Sequence, residues 1–172
     1  MIRRRNLPHI DLIDRYQFVT FRTHDSIDEY LKRVAGKDIS TSLKQYEADQ
    51  YLDSSKKGAY LNGEVLAYLY RFLLSKDGLL YELVAFSIMP NHLHILFRQK
   101  EKITITVRDI KGASSFEINK ILGRQGAFWE KGYFDKGIRD EAHFGIVYNY
   151  IANNAPKAGL NDSKERFYGK YE

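Results

Sequence analysis

Two of the five histidines in this 172-residue chain stand two positions apart in the run MPNHLHIL, residues 89–96. Residues i and i+2 of a β-strand project from the same face, so His92 and His94 would lie together while Leu93 and Ile95 face the other way. Two neighbouring imidazoles can chelate one divalent cation. The simpler alternative is a pair of polar residues on a half-exposed strand face, and no further histidine stands nearby to complete a zinc site.

The composition narrows the classes of protein that fit. A hydrophobic content of 44% with 14% aromatic residues indicates a folded globule. The absence of cysteine excludes disulfide frameworks, thiolate zinc sites and cysteine catalysis. No apolar run approaches the roughly 20 residues of a membrane span and the basic N-terminus lacks an apolar signal core, so we expect a cytoplasmic protein without a membrane partner. The net charge of +5 permits nucleic-acid binding without requiring it.

Residue patterns predict the elements that would position the histidines. Alternating apolar and polar residues predict four strands, over 16–23, 80–89, 92–99 and 128–138. Helical periodicity and capping signals predict four helices, over 27–35, 62–75, 104–122 and 140–154. Gly112 is a point where the third helix could break, and Gly132 and Gly137 weaken the fourth strand. Residues 36–58 are polar and rich in Lys, Asp and Ser; part of this segment could be helical, and residues 53–58 predict a turn.

The order β, α, α, β, β, α, β, α predicts an α+β fold of the ferredoxin-like type, in which helices pack on one antiparallel sheet. The second and third strands would form a hairpin through Pro90 and Asn91. We expect one domain over 1–172, with a basic arm over 1–14 and a polar tail over 161–172.

Four blocks of the sequence, in order, resemble the HUH superfamily of single-tyrosine transposases, and within it the REP-associated branch of the IS200-like transposases. The blocks are RRNLP with YQFVTFR (4–8 and 16–22), MPNHLHIL (89–96), FWEKGYFDKGIRDE (128–141) and YIANNAPKAGL (150–160). The resemblance covers most of the chain. The histidine block alone is a moderate signal, whereas the four together are a strong one.

The resemblance implies a reaction, its cofactor and its substrate. A tyrosine hydroxyl attacks single-stranded DNA, forms a 5′-phosphotyrosine link and releases a 3′-hydroxyl; strand transfer reverses the step. The covalent link conserves the energy of the broken phosphodiester, so no nucleotide cofactor is needed. A divalent metal, Mg²⁺ or Mn²⁺, would be bound by His92 and His94. Single-stranded or hairpin DNA would be the partner.

The resemblance assigns the nucleophile to Tyr150, on the C-terminal helix, and a third metal ligand to the polar residue one turn later. Asn154 is four residues after Tyr150 and therefore on the same helical face. The family has Asn-Pro where this chain has an alanine before the proline, so Asn153 is the alternative ligand. Tyr148 is the alternative nucleophile, although it points about 160° away from Tyr150. Tyr150 could also be a core residue, since apolar residues flank it.

Cations and aromatic rings mark the residues expected to bind DNA. Arginines can hold phosphates, and rings interleaved with cations can stack unpaired bases. The residues are Arg3, Arg4, Arg5, Trp129, Lys131, Tyr133, Lys136, Arg139 and Lys157.

The sequence therefore favours a metal-dependent DNA transposase that recognises hairpin DNA and works as a monomer rather than a homodimer. The alternatives are an HUH-type nickase (a replication initiator or relaxase) and a catalytically silent nucleic-acid-binding module of the same fold.

Overall fold

The structure is a computed structural model that describes residues 15–24, 26 and 41–172. The helix predicted over 27–35 and the basic arm predicted over 1–14, with Arg3, Arg4 and Arg5, lie outside the described residues. No helix within the described ranges is long and apolar enough to cross a membrane.

Five strands form one antiparallel sheet in the order β4–β1–β3–β2–β5. They are β1 (Tyr16–Arg22), β2 (Tyr81–Ile88), β3 (His92–Gln99), β4 (Phe134–Gly137) and β5 (Phe167–Gly169). The histidine strand β3 is central, and it forms the predicted hairpin with β2. The helices are α1 (Thr41–Ser54), α2 (Gly63–Ser75), α3 (Ile103–Leu122), α4 (Glu141–Lys157) and α5 (Ser163–Arg166). The predicted α+β fold is thus confirmed.

One face of the sheet carries the larger core. Leu93, Ile95 and Phe97 of β3 lie in one buried cluster with residues of α2 and α3. The apolar positions that predicted the second helix are the ones that α2 buries: Val65, Leu66, Leu69, Phe72 and Leu73. This burial of an apolar stripe is the main source of stability for such a helix.

The opposite face, which carries the histidines, is also covered. Helix α4 buries Phe144, Val147, Tyr148 and Ile151 in a second cluster with Phe18 and other residues of the sheet. The interpretation of the histidine pair as half-exposed polar surface is therefore wrong, because both side chains have no solvent exposure.

Several elements differ from the sequence prediction, most clearly β4, α3 and α4. Strand β4 occupies only the last part of the predicted 128–138 strand, because Gly132 turns the chain with φ +88° and Trp129 makes a single bridge to Thr23. Helix α3 runs through Gly112 without a break. Helix α4 extends to Lys157 with Pro156 in its last turn.

The segment 161–172, expected to be a polar tail, joins the fold. Residues Phe167–Gly169 form β5 at the sheet edge, and Arg166 is buried at the end of α5. Two aromatic residues in a three-residue strand are too short a pattern for the sequence to predict.

Candidate active site

The histidine pair lies at the centre of the sheet and faces α1 and α4. The ring centroids of His92 and His94 are 4.9 Å apart. Thr20, directly across from His94 on β1, places its Oγ1 2.8 Å from His94 Nδ1. The Nε2 atom of each histidine is buried and has no hydrogen-bond partner among the described residues.

Asn91 fixes the protonation of the neighbouring histidine. Its Nδ2 donates to the carbonyl oxygens of Leu52 at 2.9 Å and Ser55 at 3.2 Å. Its Oδ1 lies 2.8 Å from His92 Nδ1. An amide oxygen can only accept, so Nδ1 carries the proton and Nε2 keeps its lone pair. Proteins orient metal-binding histidines by a bond of this kind through the second ring nitrogen.

Both imidazoles are held in the neutral form. Burial, reinforced by the positive charge of Arg22, lowers the pKa of His94 to about 3. Burial, followed by the effects of His94 and Arg22, also lowers the pKa of His92 well below its ordinary value. Because a metal binds only neutral imidazole, no proton would have to leave these rings at neutral pH.

Helix α1 brings a carboxylate to the histidines. Asp49 is buried, and its Oδ2 lies 3.8 Å from His94 Nε2. One ligand atom from each of Asp49, His92 and His94 lies within 4.8 Å of the others. The second oxygen of Asp49 accepts a hydrogen bond from Gln45 Nε2 at 2.9 Å, and Gln45 in turn accepts one from Arg22.

A second carboxylate follows one helical turn later. The Oδ1 atom of Asp53 lies 3.8 Å from His92 Nε2. Burial raises the pKa of Asp49 to about 6. Burial, and then the nearby charge of Asp49, raises the pKa of Asp53 to about 7. The buried carboxylate of Asp49, the half-buried carboxylate of Asp53 and the two unpaired imidazole nitrogens form a nitrogen and oxygen donor set that fits a divalent cation.

Tyr150 of α4 reaches the same point. Its hydroxyl donates to Asp49 Oδ2 at 2.6 Å, and its ring centroid is 5.4 Å from that of His94. Burial, and then the charge of Asp49, raises the pKa of the phenol above its ordinary value. A cavity of about 200 Å³ borders the phenol, and Phe134, Lys136 and Asp49 are among its lining residues.

The other tyrosine considered as nucleophile lies in the core. Tyr148 has no solvent exposure, and its hydroxyl accepts a hydrogen bond from the backbone N–H of Tyr171 at 3.2 Å. The apolar residues around α4 therefore bury Tyr148, whereas Tyr150 faces the histidines.

The two asparagines of α4 point in different directions. Asn154 is buried, and its Oδ1 has no hydrogen-bond partner among the described residues. Asn153 is exposed, and its Nδ2 donates to the carbonyl of Asn149 at 2.8 Å. Of the two, Asn154 is the one with an available buried oxygen.

The residues expected to bind DNA are divided between several places. Lys136 lines the cavity beside Tyr150, and the charge of Lys157 acts on Asp53. Lys131 lines a second cavity of about 540 Å³ with Arg108 and other residues. Tyr133 is half-buried, and Arg139 is exposed at the start of α4.

Trp129 does not offer the free ring that base stacking requires. It is only 5% exposed, and its indole N–H donates to Ser114 Oγ at 2.9 Å. It packs in the larger core beside Phe21 and Phe128.

Sequence reasoning missed Asp49, Asn91 and Thr20. Asn91 was assigned only to the hairpin turn, and Thr20 only to a strand. The signal for Asp49 was a polar stripe at spacing four, formed by Gln45, Asp49 and Asp53 on one helical face.

Comparisons with known proteins identify a family and a structural relative. The family model described as "Transposase IS200 like" matches residues 56–154, more than half of the chain. The chain is also similar to the solved structure of a REP-associated tyrosine transposase bound to a REP hairpin, with a TM-score of 0.52 and 14% identity over 89% of this chain and 73% of that one. At this identity the likeness shows a shared fold. No curated protein matches the chain significantly.

Proposed function

Because the chain belongs to the family of IS200-like transposases, which are DNA-processing enzymes, we propose that it cleaves and rejoins single-stranded DNA with Tyr150 as the nucleophile. One observation carries this proposal. The Tyr150 hydroxyl donates at 2.6 Å to an Asp49 oxygen that is itself 3.8 Å from His94 Nε2. A potential nucleophile and a cation-binding group therefore meet at one point within one chain.

The proposed reaction exchanges one ester bond for another. The oxygen of Tyr150 forms a bond to phosphorus while the bond from phosphorus to the 3′-oxygen of the DNA breaks. The phenol gives up one proton and the departing 3′-oxygen takes one up, so the products are a 5′-phosphotyrosine and a 3′-hydroxyl. Attack by another 3′-hydroxyl on that link rejoins the strand and restores the phenol.

His92, His94 and Asn154 would hold the divalent cation, Mg²⁺ or Mn²⁺. When bound, such a cation supplies positive charge at the scissile phosphate. The protein contributes neutral imidazoles with lone pairs available, and it places the phenol where burial keeps it protonated in the resting site. The orphaned Oδ1 of Asn154 supports its role as the third ligand.

Hairpin DNA is the proposed partner, since the solved relative is bound to a REP hairpin. Lys136 borders the cavity at Tyr150, and Lys157 lies within electrostatic range of Asp53. These two lysines would bind the phosphates around the cleavage point. Lys131, Tyr133 and Arg139, together with Arg3, Arg4 and Arg5, would extend the contact along the DNA.

The test is a denaturing gel assay for covalent adducts. Wild type, Tyr150→Phe and Tyr148→Phe are incubated with labelled hairpin DNA from the flanks of the protein's own gene, with Mg²⁺ or Mn²⁺ and with chelator. We expect a metal-dependent adduct in wild type that Tyr150→Phe abolishes. Tyr148→Phe is the matched control, because it removes a tyrosine hydroxyl two residues away that lies in the core.

Each result has a distinct meaning. An adduct that disappears only in Tyr148→Phe would disprove the assignment of the nucleophile. DNA binding without any adduct across several hairpins would favour the silent binding module. An adduct that forms while cleaved ends are never rejoined would favour a nickase.

A further inference from the structure

We propose that Asp49 of helix α1 is a ligand of the divalent cation, so that α1 completes a metal site begun by β3. The inference rests on the proposed function in one respect, namely that a cation binds at the histidines. It adds a carboxylate from helix α1 to a set otherwise made of two imidazoles and an amide.

The distances allow one ion to reach these atoms. Two ligand atoms that each lie about 2.1 Å from a common cation are separated by at most about 4.2 Å. Asp49 Oδ2 and His94 Nε2 are 3.8 Å apart, which is inside that limit. The whole triad, with His92, lies within 4.8 Å, so a side-chain shift of about half an ångström would bring all three atoms into range.

The histidine Nε2 atoms and the carboxylate oxygens also face one another without hydrogen bonds between them. At 3.8 Å no hydrogen bond joins Asp49 Oδ2 to His94 Nε2. The lone pair of His92 Nε2, whose ring is oriented by Asn91, likewise faces a carboxylate oxygen of Asp53 at 3.8 Å. Buried polar atoms that face one another without a hydrogen bond are costly, and a divalent cation would satisfy all of them at once.

Asp49 would also connect the cation to the nucleophile. The oxygen that lies near His94 is the one that accepts the hydrogen bond of Tyr150. A carboxylate oxygen has two lone-pair directions, so it can bind a cation and still accept from a phenol. The other oxygen is held by Gln45, which is in turn held by Arg22 of β1. Asp49 is therefore both a ligand and a positioning residue for Tyr150.

The experiment is a calorimetric titration of MnCl₂ into the full chain, free of affinity tag and stripped of metal with chelator. The variants are Asp49→Asn, His94→Ala and Glu47→Gln. We expect wild type to bind one Mn²⁺, His94→Ala to lose that binding, and Asp49→Asn to bind at least about 10-fold more weakly. Glu47→Gln is the matched control, because it removes the same charge from the same helix at a residue about 160° around the helix from Asp49, and we expect it to change the affinity less than about 3-fold.

The outcomes separate the inference from the proposed function. If wild type fails to bind Mn²⁺, or His94→Ala binds it normally, the cation site of the proposed function is wrong. If His94→Ala loses binding while Asp49→Asn keeps it, only the role of Asp49 is wrong. Equal weakening by Asp49→Asn and Glu47→Gln would show a general charge effect and would also overturn the inference.

Two further measurements test whether the variants are folded and whether the phenol of Tyr150 is the oxygen ligand. Circular dichroism melting in chelator shows whether each variant is folded, and Asp49→Ser replaces Asp49→Asn if the amide does not fold. Tyr150→Phe should bind Mn²⁺ as tightly as wild type or more tightly, because it leaves the Asp49 oxygen without a competing phenol. Loss of binding in Tyr150→Phe would mean that the phenol, and not Asp49, is the oxygen ligand.

Discussion

At the scale of single residues, each imidazole of the site is oriented by a polar side chain that bonds to its Nδ1 atom. Asn91 bonds to Nδ1 of His92, and Thr20 bonds to Nδ1 of His94. Both bonds are buried and leave the Nε2 atoms facing Asp49 and Asp53. Thr20 and Asn91 thus control where the nitrogen lone pairs point, although neither reaches the proposed cation.

Replacing Thr20 with valine tests this control. Valine preserves the shape and the strand preference of threonine but cannot bond to His94 Nδ1. We expect Thr20→Val to weaken Mn²⁺ binding by about 10-fold or more, as is typical when the second nitrogen of a metal-binding histidine loses its partner. Thr20→Ser keeps the hydroxyl and should restore most of the affinity. Equal calorimetric affinities for valine, serine and wild type would contradict the role of Thr20.

The residues predicted and those missed differ in what determines them. The common face of His92 and His94 follows from the period of two along a strand, and the separation of Tyr150 from Tyr148 follows from the helical period. These are local properties that one sequence contains. Asp49 lies near His94 only because of the way α1 packs in the tertiary structure, and no local sequence pattern predicts that packing.

At the scale of elements, α1 shows why a helix that carries a proposed ligand is difficult to predict from the sequence. Among its described side chains, the apolar residues that it buries are Ala48 and Leu52, which form a small separate cluster, whereas α2 buries a continuous apolar stripe. Its position is fixed partly by polar bonds, such as that from Asn91 to the carbonyl of Leu52. Strong periodicity predicted α2, α3 and α4, whereas α1 and β5 depend on contacts with the rest of the fold.

The C-terminal segment is attached by one buried side chain. Arg166 is 2% exposed and donates to the carbonyl oxygens of Leu61 at 3.0 Å and Ile88 at 2.9 Å. It also donates to Asn62 Oδ1 at 2.7 Å and to Asp162 Oδ1 at 2.6 Å. This one guanidinium therefore ties α5 to the start of α2 and to the end of β2, beside the turn that precedes the histidine strand.

We expect Arg166→Met to lower the free energy of unfolding by at least about 2 kcal/mol, because it leaves buried carbonyl oxygens without donors. Urea unfolding at neutral pH measures the effect. Lys164→Met is the matched control, since Lys164 is exposed on the same short helix, and it should change the stability by less than about 0.5 kcal/mol. Similar losses for the two variants would show that the buried bonds of Arg166 contribute nothing.

At the scale of the whole molecule, the layout decides whether one chain can build the site alone. Strand β3 supplies the histidines, α1 supplies Asp49 and α4 supplies Tyr150, and the three meet within a single chain. The larger core packs on the other face of the sheet, in which β3 is paired with β1 and β2. We propose that each chain builds its own site, in contrast to a dimer in which the two chains exchange the tyrosine helix.

Complementation distinguishes the two arrangements. Tyr150→Phe lacks the proposed nucleophile and His94→Ala lacks a proposed ligand, so each alone should form no adduct. If each chain builds its own site, coexpression of the two variants should still give no adduct. If α4 were exchanged between partners, half of the dimers would be mixed and each would contain one intact site, which would restore about a quarter of the wild-type adduct. A restored adduct, together with a dimer mass by light scattering, would therefore overturn the single-chain site, whereas none is expected because Tyr150 already lies against His94 of its own chain.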